Sequence, residues 1–476
     1  MRRLLAVLLL FAPVAAFAGS LYAGSTGRTI ERFVEQEMQG SALPGVAWAA
    51  VEGDEITTGA QGTADAAGNQ PVTPQTRFLL GSISKSFTAL AVMQLVEAGE
   101  IDLDAPVSTY LQAFDGKPAG AVTIRQLLSH TSGYSTLQGN SAPKDSESGT
   151  TAIARRAQWY AQQQPATAPG TVWDYSNANY LILGRVIETV SGVPYPDYIA
   201  SRILQPLGMK NSYVSGGKTR GELARGFTPW FGSMRPIEAQ WTGLGSAPQG
   251  GVVSTAGDLA RYLQVMMNGQ NDILSAAGKA QMLEPAGDVS PGYGFGWMVN
   301  SEERSAYHTG LSPGFETIAA MIPAQRRGVV VLTNGVSGMG FAETGNLRYG
   351  IVARGLDLPQ APDGGGWMRK VNYISLAAAP VVLLLAIVWA LFRRDALRTK
   401  RSSKFGLFSL WFPLLAMAGV AWVCVVTIPN LFGVSLATLN LFQPDMTLLL
   451  LATAVLGLVW AAVRLRIAYS GRPAAA

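Results

Sequence analysis

The stretch Gly81-Ser82-Ile83-Ser84-Lys85-Ser86-Phe87-Thr88 sets a serine three residues before a lysine, and residues 87–96 continue as an apolar run interrupted mainly by Gln94. Such a run predicts a helix that is buried all round, with Ser82 and Lys85 at its start. Residues i and i+3 of a helix share a face, with Cβ atoms about 5–6 Å apart, so the two side chains can touch. A serine hydroxyl is a weak nucleophile until a base takes its proton, and a partly desolvated lysine can do this. The helix start adds N–H groups and positive potential suited to an oxyanion. Alone, Ser-x-x-Lys also describes a capping serine and a solvated lysine. The buried helix that follows favours the chemical reading.

Outward from this stretch, residues 28–40 predict a short amphipathic helix, and residues 46–51 and 56–60 a β-hairpin turning at Glu52-Gly53-Asp54. From about residue 100 to 285 the pattern is helical and loop-rich, with helices expected at 102–111, 123–128, 152–163, 177–190 and 255–267 and an exposed loop at 139–150. Strands return at 293–299, 306–308, 315–322 and 329–333, with Arg326-Arg327-Gly328 as a hairpin turn and 341–355 as a closing helix. Strands from both ends predict one antiparallel sheet flanked by helices, with the helical middle as a second lobe: an α+β fold. A cleft between lobes is where a site is expected.

The chain has 476 residues and a net charge of +5, which conceals two unlike parts. Residues 19–366 hold 23 Lys and Arg against 29 Asp and Glu, so this part is acidic and offers no nucleic-acid surface. Cys424 is the sole cysteine, which excludes an intramolecular disulfide, and with two histidines, His130 and His308, a histidine-rich zinc site is not expected. Residues 1–18 read as a signal peptide, with Arg2 and Arg3, an apolar core and Ala16-Phe17-Ala18 as the cleavage pattern; an uncleaved anchor is the alternative. Residues 19–360 form the main domain, 361–370 a linker, and 371–476 a membrane domain with spans at about 373–392, 405–428 and 446–463. The loop between the first two spans carries Arg393, Arg394, Arg398, Lys400, Arg401 and Lys404, whereas residues 429–445 have no Lys or Arg. By the positive-inside rule the basic loop and the tail are cytoplasmic. The main domain is then expected outside the membrane, on its extracytoplasmic side.

Two later stretches carry chemistry. Tyr175-Ser176-Asn177 opens a helix after a loop, where a phenol can project into a cleft; a lysine ammonium nearby would favour its phenolate. Asn177 offers an amide for a substrate carbonyl or for Lys85. His308-Thr309-Gly310 lies on an expected strand, where glycine permits close backbone approach and His308 and Thr309 supply donors. Each alone is equally a surface tyrosine with a capping asparagine, or a strand end with a turn.

Taken in order, Ser-x-x-Lys, Tyr-x-Asn and His-Thr-Gly resemble the serine β-lactamase and penicillin-binding protein superfamily, nearest its class C β-lactamase-related branch. That branch also holds D-alanyl-D-alanine carboxypeptidases, D-aminopeptidases and family VIII esterases. Leu127-Leu128-Ser129-His130-Thr131-Ser132-Gly133 and Gly250-Gly251-Val252-Val253-Ser254 add local similarity, and the resemblance covers roughly residues 28–355. It implies a β-lactamase/transpeptidase-like fold. It also implies Ser82 as a nucleophile forming an acyl-enzyme, Lys85 lowering its proton affinity, and Tyr175 as the general base and acid. Asn177 would orient substrate and lysine, His308, Thr309 and Gly310 would form the third-motif strand, and the Ser82 and Leu311 amides the oxyanion hole. Many β-lactamases carry lysine where this chain has His308, which weakens the case for antibiotic hydrolysis in particular. His130 reads as structural.

The sequence therefore predicts an exported serine hydrolase tethered to the lipid bilayer and acting on small-molecule or peptide amides or esters. D-amino-acid peptides of the cell envelope are the plausible substrates. No metal or organic cofactor is implied. The rivals are a penicillin-binding sensor without turnover, which the short basic loop does not favour, and a transporter-like role, which three uncharged spans do not support.

Overall fold

The computed structural model describes residues 26–142, 149–216, 222–238, 243–360 and 366–470. The expected signal peptide, most of the linker core and part of the 139–150 loop lie outside the described residues.

Helix α1 (Thr26–Met38) turns Ile30, Phe33 and Val34 inward and leads into the hairpin β1 (Gly45–Glu52) and β2 (Glu55–Gly62). Strands β3 (Met298–Asn300), β4 (Ser305–Ser312), β5 (Phe315–Ile322) and β6 (Arg327–Thr333) return from the far end of the domain. Together they form one antiparallel sheet in the order β2-β1-β6-β5-β4-β3. In register, Val331 lies opposite both Trp48 and Ile318, and Thr309 opposite Ile318.

Both faces of this sheet are covered, which is why β1 reads as a continuous apolar run and not as an alternation. On the inner face Ala47, Ala49 and Val51 join a large core shared with α2 (Ser84–Glu97), α3 (Asn177–Ser191) and α4 (Ala256–Met267). On the outer face Val46, Trp48 and Ala50 pack with α1 and with α5 (Gly345–Leu356). Helix α2 is buried nearly all round, as its composition predicts. A small antiparallel sheet of Phe78–Leu79, Val252–Ser254 and Tyr213–Val214 carries the chain into it.

Three local expectations differ from the structure. Residues 102–111 hold no α-helix: Pro106 is extended and bridges Thr123, leaving a short 3-10 turn at Val107–Thr109. Proline lacks the N–H that a helix interior needs. The strand expected at 293–299 shrinks to β3, because Tyr293, Phe295 and Trp297 are buried in a turning segment that packs under α2. The β5–β6 turn spans Pro323–Gln325 with Arg326 in the left-handed region, so Arg327 and Gly328 already belong to β6.

Three helices follow: α6 (Gly366–Phe392), α7 (Lys404–Trp422, continuing to Leu431) and α8 (Pro444–Tyr469). At 27, 28 and 26 residues, each is long and apolar enough to cross a membrane. Their outward faces are apolar, with Leu385, Trp389 and Leu415 well exposed, as lipid-facing residues are. Helix α8 packs against both others and is the central member.

Candidate active site

Ser82 lies in a 3-10 turn, Gly81–Ile83, that runs straight into α2. Gly81 has φ +56°, a region closed to most side chains, and a Cβ there would come within 2.7 Å of the Leu311 amide nitrogen. Glycine thus lets the serine turn and β4 meet backbone to backbone. The flanks are tied down: Thr317 Oγ1 donates to the Leu80 carbonyl at 2.7 Å, and the Val252 amide to Ser84 Oγ at 2.9 Å.

Lys85 is wholly buried beside it. Its Nζ lies 3.1 Å from Ser82 Oγ, 2.8 Å from Asn177 Oδ1 and 2.9 Å from the Gln249 carbonyl. The last two oxygens can only accept. A neutral amine gives both its hydrogens to them and keeps its lone pair for the serine hydroxyl; an ammonium would donate to all three. Burial pushes Lys85 well below the ordinary lysine range. Among the described residues no carboxylate bonds to it. Both facts favour the neutral amine, with Ser82 as the donor.

Tyr175 leads into α3, and its ring lies under Lys85, 4.9 Å from Nζ to centroid. Thr136 Oγ1 holds this segment, 2.6 Å from the Tyr175 carbonyl and 2.7 Å from Asp174 Oδ1, its one hydrogen shared between the two acceptors. The phenol oxygen is buried and has no hydrogen bond within ordinary range. Burial raises its pKa, and the nearby Ser82 opposes that only in part. The expected phenolate is therefore not the resting form. A lysine held neutral by burial supplies no charge to favour it.

Asn177, the first residue of α3, joins its Oδ1 to Lys85 and donates from Nδ2 to Asn140 Oδ1 at 2.8 Å. His308 behaves differently from the sequence reading. Its ring is buried, Nδ1 donates to the Thr309 carbonyl at 2.7 Å, and Nε2 faces the Tyr293 hydroxyl at 3.3 Å. Burial lowers its pKa to about 3, against the hydrogen bond to Thr309. It is a neutral ring bonded within the protein, so it offers substrate neither a donor nor a charge. Gly310 also has an internal reason: a side chain there would run into the Leu80 carbonyl. Thr309 is half-buried and Leu311 exposed, so these residues of β4, and not His308, are open to solvent beside Ser82.

His130 takes the structural role expected of it. Its Nδ1 lies 3.1 Å from the Ser176 amide, which donates to it, and 2.9 Å from Asn179 Nδ2. Its ring packs against that of Tyr175, tilted by 36° with centroids 4.3 Å apart. Burial holds it well below the usual histidine range. Among the described residues no cluster of His, Cys, Asp or Glu could hold a metal.

The structure thus gathers Ser82, Lys85, Tyr175 and Asn177 at one point and lays the 308–311 backbone alongside. Sequence reasoning missed Gln249, Asn140 and Tyr293. Gln249 directly precedes the Gly250-Gly251 pair, a visible signal for a backbone turn against the site. Asn140 sits in a loop with no pattern to mark it.

A family model described as Beta-lactamase matches residues 30–354. Penicillin-binding protein 4 of Amycolatopsis lactamdurans is 30% identical over 313 residues, 62% of this chain and 81% of that protein. Among solved structures, the octameric penicillin-binding protein homologue from Pyrococcus abyssi aligns with a TM-score of 0.58 at 27% identity, covering 68% of this chain and 76% of that one. The D-amino acid amidase from Ochrobactrum anthropi SV3, complexed with L-phenylalanine amide, aligns with a TM-score of 0.58 at 25% identity, covering 70% of this chain and 98% of that one.

Proposed function

From the premise that this chain belongs to the Beta-lactamase family over residues 30–354, we propose that it is a membrane-anchored serine hydrolase acting through an acyl-enzyme on Ser82. The observation that carries this reading is the 3.1 Å contact between Ser82 Oγ and Lys85 Nζ, with two acceptor-only oxygens on the same nitrogen. Ser82 Oγ attacks the substrate carbonyl while its proton passes to Lys85. The carbonyl oxygen gains a negative charge that the Ser82 and Leu311 amides stabilise. Lys85 cannot easily keep a charge in its dry pocket, which drives the proton onward. Tyr175 is next to it and passes the proton to the leaving group as the carbonyl re-forms and the acyl–leaving-group bond breaks. Water then attacks the ester, and the same groups return the proton to Ser82.

D-amino-acid amides or peptides are the favoured substrate class, supported by the likeness to a D-amino acid amidase and to penicillin-binding proteins. A neutral His308 gives no fixed positive charge for a substrate carboxylate, which counts against carboxylate-bearing β-lactams. The exposed Val172, Trp173 and Leu311 near the site favour a second reading, hydrolysis of short apolar esters. The basic 393–404 loop and the export-type N-terminus support an extracytoplasmic site for the domain.

The decisive experiment is Ser82→Ala. It should abolish both turnover and labelling by a fluorophosphonate, and labelling at the parent rate would remove Ser82 as nucleophile. A panel of D-Ala-D-Ala peptides, D-amino acid amides, β-lactams and p-nitrophenyl esters separates the substrate classes.

A further inference from the structure

The connection between α7 and α8, a turn at residues 432–435 followed by a short helix (Leu436–Phe442), does not hang free in front of the catalytic domain. The Gly433 carbonyl accepts a hydrogen bond from Asn140 Nδ2 at 3.0 Å. Asn140 Oδ1 accepts from Asn177 Nδ2 at 2.8 Å, and Asn177 Oδ1 lies 2.8 Å from Lys85 Nζ. Lys85 touches Ser82. An unbroken line of side chains therefore joins a backbone carbonyl of the membrane domain to the nucleophile.

We propose that this turn is a working part of the active site: it sets the orientation of the Asn140 and Asn177 amides, and through them the face that Asn177 shows to Lys85. The inference rests on the Ser82 chemistry proposed above. An amide has an accepting and a donating end, and flipping one member of the line sets like groups face to face. The Gly433 carbonyl cannot flip and can only accept. It fixes Asn140 with Nδ2 outward and Oδ1 inward, which fixes Asn177 with Oδ1 on Lys85. Without it the two amides can turn together and present N–H groups to the lysine. Asn140 is thus a positioning residue.

The turn is held in place by contacts away from the site. Asp445, at the start of α8 and 2% exposed, accepts from the Phe231 amide at 3.0 Å and from the Tyr373 hydroxyl at 2.6 Å. Gln443 Nε2 donates to the Ser337 carbonyl at 2.7 Å. Gly433 itself has φ +67°, and a Cβ on it would stand 2.6 Å from Thr136 Cγ2. Thr136 is the residue that bonds the Tyr175 carbonyl. The membrane turn therefore abuts both the Asn177 and the Tyr175 sides of the site.

The test uses the full chain in lipid nanodiscs and the rate of fluorophosphonate labelling against pH. Asn140→Ala should slow labelling about fivefold, the equivalent of one ordinary hydrogen bond. It should also move the acid limb to lower pH, because Lys85 loses the oxygen that favours its ammonium. Gly433→Ala should do the same by pushing the turn off Thr136. Adding Thr136→Ser, which removes the clashing methyl and keeps the hydroxyl, should restore much of the rate. If Asn140→Ala and Gly433→Ala keep the parent rate and profile, the inference fails. It also fails if both are slow with an unmoved profile and Thr136→Ser restores nothing, since that is general damage. A parent chain that does not label at all overturns the Ser82 reading as well.

Discussion

Lys85 and Lys279 are buried to nearly the same degree, 0% and 2% exposed, and their pockets differ by one carboxylate. Lys279 Nζ lies 3.0 Å from the Val265 carbonyl, 2.7 Å from Asn268 Oδ1 and 2.8 Å from Asp272 Oδ1. Lys85 has the same pair of a backbone carbonyl and an asparagine oxygen, with Ser82 Oγ where the other lysine has an aspartate. In the first pocket the charge is paired. Burial raises the Asp272 carboxyl, but hydrogen bonds from Asn268, Lys279 and the Ile273 amide outweigh it and hold the group below its ordinary value. In the second pocket no carboxylate pairs an ammonium, which favours the neutral amine. Burial alone does not make a lysine a base; burial without a counter-ion does.

The largest expected effect comes from turning one pocket into the other. Asn177→Asp would set a carboxylate at the position of an oxygen now 2.8 Å from Lys85 Nζ. The lysine should then hold its proton at neutral pH, and labelling of Ser82 should fall about 100-fold or more, the usual worth of a positioned base. The loss should shrink as pH rises and Lys85 is stripped of its proton. A loss equal at every pH would mean that the charge state of Lys85 is not what the carboxylate changed.

The reverse exchange tests stability instead of rate. Asp272→Asn leaves the Lys279 ammonium buried with only neutral partners. Breaking a fully buried pair costs about 3–5 kcal/mol. Asp272 keeps a third of its side chain in water, so a loss of about 2 kcal/mol is expected after screening. Denaturant midpoints would measure it. Labelling at Ser82 should be untouched, because helix Ala276–Met282, which carries Lys279, meets α2 at its Glu97 end, opposite Ser82. An unchanged midpoint would show that Asp272 is not what holds that charge.

The same contrast explains what could be read in the sequence. The apolar run of β1, the buried helix after Ser82 and the three long apolar segments are patterns of period and length, and they placed the sheet, α2 and the three long apolar helices. Ser82 and Lys85 were legible because helical spacing alone brings them together. Tyr175 and Asn177 needed the order of motifs. The protonation states were not legible, since they depend on which groups converge from distant stretches: Gln249 and Asn177 on Lys85, Tyr293 on His308. His308 looked like a donor because a strand pattern does not reveal that its ring is bonded on both nitrogens within the protein. Asn140 carried no local mark at all.

The pH-dependent effect concerns the two histidines, which share with Lys85 a burial that favours the uncharged form. Both have pKa values below the ordinary 6.5, His308 at about 3 and His130 well below normal. Below pH about 6.5 the unfolded chain binds protons at these positions that the folded chain refuses, so stability falls as pH falls. The slope approaches about 1.4 kcal/mol per pH unit for each histidine once its unfolded form is protonated. Lys85, also depressed, acts with the same sign at alkaline pH: its penalty is absent above about 10.5 and grows as pH falls towards its folded value. Urea midpoints between pH 7 and 5 should therefore decline steadily, and His308→Gln should remove about half of the histidine slope. If that variant declines as steeply as the parent, His308 is not refusing its proton, and the neutral ring that argues against a carboxylate-bearing substrate loses its support.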